Sequence, residues 1–166
     1  MAFLLDSNVL ISHFGGELRV ARWMDPADAG GGRAGVSVVT RIEVLGHSSV
    51  TGSVESAVRR LLDSLETFGL SDGVIERTVS LRRSHRLKLP DAIIAATALE
   101  SSRVLVTHDL RGFGLVSGLR VIDPLSAAGL DDVPPPDPST VREPRVRYRK
   151  TSQKRVRSGP VRKRTT

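Results

Sequence analysis

Four acids in this chain share one setting. Asp6 follows the apolar run of FLLDSNVLI, Glu43 follows VSVV inside TRIEV, and Asp109 follows VLV in VTHDLRGF; Asp91 opens the apolar stretch LPDAIIAATAL directly behind Pro90. A carboxylate at such a joint has two uses. It can serve the helix that follows: Asp, Ser and Asn side chains accept the unpaired backbone N–H groups of a first turn. Asp6, Ser7 and Asn8 suit that role, Thr40 to Glu43 fits the reciprocal S/T-x-x-E box, Asp91 complements a helix dipole, and Thr107 or Asp109 can cap a short helix. Alternatively, the acids can act together.

Acting together requires convergence, and convergence has an electrostatic cost. Carboxylates within about 4 to 6 Å of one another resist joint ionisation unless positive charge is supplied. A helix N-terminus offers only about half a charge. A divalent cation offers enough. The donors are all oxygens, the chain has no cysteine, and His13, His47, His85 and His108 share no ligand spacing, so the set favours a hard ion, Mg²⁺ or Mn²⁺, over zinc.

The elements that must position these groups alternate. Phe3–Leu5 reads as a buried strand, Val9, Leu10, Ile11 and Phe14 recur at helical spacing, and Glu17–Met24 reads as a second helix. Gly30 to Gly32 with nearby Gly35 mark a loop. Val36–Val39 is strand-like and leads into a helix start at Thr40; Val54, Val58, Leu61, Leu62 and Leu65 keep the 3.6-residue period. A short strand near Phe68 to Leu70, a helix from Asp72 towards Arg86, a buried helix from Pro90, a strand over Arg103–Thr107, a short helix in HDLRGF and a last strand in LRVID complete the pattern. Such alternation implies an α/β fold: a central parallel sheet flanked by helices. In an open parallel sheet, strand C-termini and the following helix N-termini share one edge, where such folds put ligands. Asp6, Glu43 and Asp109 belong to that edge, and the helix start at Asp91 can reach it.

The charge is unevenly placed. Of the formal +7, none lies in residues 1–130, where 14 Lys and Arg meet 14 Asp and Glu; residues 131–166 hold 11 against 4. That segment also carries six of the nine prolines and few apolar residues, a composition expected of a disordered basic tail, with PPPDP as a stiff spacer. The chain thus divides into a folded domain over 1–130 and a tail over 131–166. No apolar stretch is long enough to span a bilayer and no signal peptide is evident, so a cytoplasmic protein without membrane attachment is expected.

With FLLDSNVLI, TRIEVLG, LKLPDAIIAATAL and VLVTHDLRGF standing in this order, the chain resembles the PIN-domain ribonucleases, most closely the VapC-type toxins of bacterial toxin–antitoxin pairs, over about residues 2–125. The resemblance implies a PIN-like fold and a metal-dependent endoribonuclease that hydrolyses single-stranded or loop RNA, leaving a 5′-phosphate and a 3′-hydroxyl. It implies Mg²⁺ or Mn²⁺ as cofactor. Carried over by position, Asp6, Glu43, Asp91 and Asp109 form the catalytic acidic cluster, with Asp6, Asp91 and Asp109 as metal residues. Asp6 and Asp109 are the choice for direct ligands, while Asp91 and Glu43 act through water or position the nucleophile. Ser7, Asn8 and Thr107 become supporting or substrate-orienting groups. The partners implied are RNA (tRNA, rRNA or mRNA), a cognate antitoxin protein near the helix bearing Leu18, Val20 and Trp23, and a second copy of the chain.

Other residues carry weaker expectations. His108 faces either substrate or solvent, Arg86 and Lys88 either reach RNA phosphate or end a solvated helix, and the tail either adds RNA affinity through counterion release or is a solvated extension. Two other functions use the same acids: a catalytically silent PIN-like scaffold that binds RNA, and a Mg-dependent phosphohydrolase or receiver-type domain phosphorylated on Asp6. Asp-Ser-Asn lacks the second aspartate that haloacid-dehalogenase-like chemistry requires two residues on.

Overall fold

The structure, a computed structural model, describes residues 2–25 and 33–126. The Gly30 to Gly32 loop and the basic tail lie outside the described residues. Five short strands, β1 (Ala2–Leu5), β2 (Arg33–Ser37), β3 (Glu66–Phe68), β4 (Val104–Val106) and β5 (Val121–Ile122), form one parallel sheet in the order β3-β2-β1-β4-β5. Between them run α1 (Ser7–Phe14), α2 (Leu18–Met24), α3 (Val38–Leu45), α4 (Ser53–Ser64), α5 (Asp72–Ser84), α6 (Leu89–Glu100) and α7 (Leu110–Phe113).

Successive strand side chains point to opposite faces. Leu4 and Leu105 therefore enter one core with Val74, Ile94, Ala95 and Phe113 from α5, α6 and α7. Leu5 and Val106 enter the other with Val9, Leu10, Val44, Val58 and Leu62 from α1, α3 and α4. Both faces are covered, as all-parallel sheets require. The α4 stripe Val54, Val58, Leu61, Leu62 and Leu65 packs in the second core. Trp23 meets Phe3 edge-on at 5.2 Å between centroids and Val20 is buried, while Leu18 is exposed.

Several boundaries differ from the sequence pattern: the strand expected near Phe68 to Leu70 falls at Glu66–Phe68, and that expected over Arg103–Thr107 is confined to Val104–Val106. The VSVV strand stops at Ser37, and Val38 and Val39 begin α3. The Ser37 hydroxyl accepts the Thr40 N–H at 3.0 Å, so Ser37 caps α3 and Thr40 to Glu43 is no capping box. β-Branched residues carry a strand preference that a good cap two positions earlier overrides. Gly35 also lies within β2 and not in a loop, because a Cβ there would stand 2.7 Å from the Phe68 ring of β3 and 2.9 Å from the Glu66 carbonyl.

The register sets up one polar edge. Leu5 pairs with both Val36 and Val106, so the next residue of each strand, Asp6, Ser37 and Thr107, arrives at the same level. All three are buried polar side chains.

Candidate metal centre

The strand order reverses at β1: β2 and β3 extend to one side, β4 and β5 to the other. The crevice at the C-terminal ends of β1 and β4 is thus the switch point where open α/β sheets bind ligands. Asp6 ends one wall and Thr107 the other. Thr107 has one proton and two lone pairs. It donates to Asp6 Oδ2 at 2.6 Å and accepts from Asn8 Nδ2 at 2.9 Å and the Asp109 N–H at 3.1 Å. With both lone pairs taken, its proton is committed to Asp6. Asn8 closes the loop by accepting the His108 N–H at 3.2 Å.

Ser7 ties in the third acid. Its N–H donates to Asp6 Oδ1 at 2.7 Å, and its hydroxyl lies 2.7 Å from Glu43 Oε2 and 3.3 Å from Asp6 Oδ1. One proton serves one acceptor well, so the shorter contact to Glu43 takes it. Asp91 stands in the first turn of α6 behind Pro90, with Lys88 as the N-cap residue. Asp109 caps α7 through Gly112 N–H to Oδ1 at 2.8 Å and is exposed. Capping does not exhaust Asp109, because a carboxylate has more lone pairs than one N–H occupies.

The electrostatics link the four. Burial pushes the Asp6 carboxyl above the ordinary carboxylate range, the Thr107 and Ser7 donors oppose it, and the Asp91 charge adds to the rise. Asp91 is also raised, first by burial and then by the Glu43 charge; Lys88 opposes and Asp109 adds. The influence acts at a distance. Among the described residues no three acidic or histidine side chains stand close enough together to hold one ion.

The sequence pattern missed two members of this edge. His108, partly buried, places Nδ1 2.8 Å from Asp123 Oδ1 and Nε2 3.1 Å from Ser12 Oγ. It is neither solvated nor turned wholly outward. Ser12 lies one turn beyond Asn8, and Asp123 follows β5 just as Asp6 follows β1, a signal present in LRVID. Arg86 and Lys88 are exposed beside Asp91.

A model of the PIN domain matches residues 3–118. The chain belongs to the PIN-domain family. The domain's fold is also that of a chain in a toxin–antitoxin complex from Klebsiella pneumoniae, at 32% identity and a TM-score of 0.63, covering 73% of this chain and 96% of that one. At 18% and 20% identity the fold recurs in VapBC2 from Rickettsia felis bound to a promoter DNA fragment (TM-score 0.65, 74% and 98% covered) and in DNA-bound VapBC from Salmonella typhimurium (TM-score 0.61, 75% and 98%). No curated protein matches this PIN domain in sequence. Among the described residues no helix is long and apolar enough to cross a membrane.

Proposed function

We propose that this PIN domain is a Mg²⁺- or Mn²⁺-dependent endoribonuclease and the toxin of a toxin–antitoxin pair, cutting single-stranded or loop RNA at the β1/β4 crevice. One arrangement carries the reading: at the switch point Asp6 is buried and bonded by Thr107 and Ser7, Ser7 also bonds Glu43, and burial with like charge pushes the Asp6 and Asp91 carboxyls up, with Lys88 opposing at Asp91. Asp91 feels two anions, Glu43 and Asp109, against one cation, Lys88, and stays raised. The donor chemistry fits a hard ion; Asp6, Asp91 and Asp109 would hold it, with Glu43 beside them, once they close the gaps that keep them from forming one ligand set in this structure. A bound ion supplies the positive charge these acids lack, acidifies water and polarises a phosphoryl oxygen.

The chain's own residues do the rest. Thr107 and Ser7 N–H fix the Asp6 carboxylate, Ser7 OH holds Glu43 in line with it, and the exposed Lys88 and Arg86 offer positive charge to a phosphate. The basic tail adds RNA affinity through counterion release, and an antitoxin protein covers the surface around exposed Leu18. A second copy of the chain is supported by the exposed Ile75 and Val79, one turn apart on α5.

The test incubates purified protein and its Asp91→Asn variant with labelled RNA under Mg²⁺, Mn²⁺ or chelator. Cleavage that needs the ion and Asp91 is expected. RNA binding without cleavage under every condition would instead make the protein a silent scaffold, and labelling of Asp6 by a small phosphodonor would make it a receiver-type domain. Removing residues 131–166 is expected to leave ion-dependent cleavage intact while weakening RNA binding at low salt; an unchanged salt dependence would dismiss the tail's role.

A further inference from the structure

The loop 107–109 bears Thr107 and Asp109, and its position relative to Asp6 decides whether one ion can reach both walls of the crevice. Backbone pairing holds its two ends: Thr107 N–H donates to the Ile122 carbonyl at 3.0 Å and the Asp109 carbonyl accepts the Phe113 N–H at 3.3 Å, with His108 between them. The His108 ring supplies a brace between two further elements. Nδ1 stands 2.8 Å from Asp123 Oδ1, an acceptor while ionised, and Nε2 stands 3.1 Å from the Ser12 hydroxyl, which can give or take the bond. Asn8, four residues before Ser12 and on the same face of α1, takes the His108 N–H.

The loop is thus fastened to α1 at two residues one turn apart, Asn8 and Ser12, and to the end of β5 at two, Ile122 and Asp123. The Ser-His-Asp order matches that of a nucleophilic relay. Ser12, however, lies within α1, where the surrounding N–H groups are committed to the helix ladder and cannot receive an oxyanion. The arrangement is suited to holding, not to attack.

We infer that His108, clamped between Ser12 and Asp123, is a positioning residue that sets Asp109 and Thr107 against Asp6 for ion binding. The inference rests on the reading of these acids as ion-holding. Groups that orient metal ligands from behind typically cost tenfold to a hundredfold in ion affinity or activity when removed.

The experiment titrates the full-length protein with Mn²⁺ by calorimetry and measures RNA cleavage across Mn²⁺ concentrations, for wild type, His108→Ala, Ser12→Ala and Asp123→Asn. His108→Ala is expected to bind Mn²⁺ about tenfold more weakly or worse, with cleavage restored by raising Mn²⁺ at a temperature where its unfolding curve shows the variant folded before any ion is added, so that the rescue is not a rescue of folding. Ser12→Ala loses one arm of the brace and should fall between His108→Ala and wild type. If His108→Ala does not fold, Ser12→Ala and Asp123→Asn carry the decision. Variants that bind Mn²⁺ as wild type does overturn the brace and leave the site standing. A wild-type protein that binds no Mn²⁺ overturns the site and the brace with it.

Discussion

The two ends of the sheet treat charge in opposite ways. At the strand N-termini, the Arg103 side chain is only 9% exposed, yet its charge is fully answered: it donates to the carbonyls of Phe3 and Arg33, pairs with Glu66, and lies 4.6 Å over the Phe68 ring. Three strands are joined by one side chain. At the C-terminal end, Asp6 is buried with hydrogen-bond donors but next to further negative charge, and Asp91 is raised by Glu43 and Asp109 with Lys88 opposing. One end is arranged for stability, and the other accepts an electrostatic cost. That cost is what the proposed ion would relieve.

The largest expected effect breaks the second end. Asp91→Asn preserves shape and removes charge, so cleavage should fall by roughly a hundredfold or more, the scale of losing a group that acts on the reacting atoms; cleavage at the wild-type rate would remove Asp91 from the site. The next breaks the first end. Arg103→Ala strips partners from two carbonyls and from Glu66, and hydrogen bonds to charged groups are each worth about 1.5 to 3 kcal/mol. A loss of about 2 kcal/mol, near thirtyfold in the folding equilibrium, is expected in urea unfolding, with Mn²⁺ affinity of the folded protein unchanged. Weakened Mn²⁺ binding would mean that the two ends are coupled. Gly35→Ala probes the same end more gently. The new Cβ must displace the Phe68 ring at 2.7 Å and cannot move the Glu66 carbonyl at 2.9 Å, an overpacking cost of about 1 to 3 kcal/mol. A neutral result would show that β3 slides.

The contrast also explains what the sequence could disclose. The strand and helix alternation was legible because both faces of the sheet are covered, which leaves continuous apolar strands such as VLV beside amphipathic stripes such as that of α4. The polar edge was legible because β1 and β4 run straight into Asp6 and Thr107. What stayed hidden depends on register. Nothing in VSVV says that it ends at Ser37 until pairing with Leu5 fixes where β2 stops. Ser12 and Asp123 are 111 positions apart and meet only through the His108 ring, and Arg103 reads as a strand residue until the strand starts are seen side by side. Local pattern finds elements; long-range pairing finds partners.

The smallest expected effect sharpens the contrast most, because it concerns stability at the end arranged for function. A carboxyl whose folded pKa lies above its unfolded value of 3.8 keeps its proton in the native state after the unfolded chain has lost it. Stability is therefore fully present below that value, falls as pH rises through the folded pKa, and stays low at neutral pH. Asp91 has that shift, caused first by burial and then by Glu43, so Asp91→Asn should melt at a higher temperature than wild type at pH 7, with the gap closing as pH falls towards 3.8. Mn²⁺ should reverse the ranking, since an ion that binds the native state adds stability in proportion to its affinity and the variant binds it less well. At the opposite end no substitution should behave this way: Arg103→Ala lowers stability at neutral pH whether or not the ion is added. An Asp91→Asn protein that melts below wild type without Mn²⁺ would show that this carboxylate is already stabilised by its neighbours, and the proposed need for a cation at the crevice would lose its physical basis.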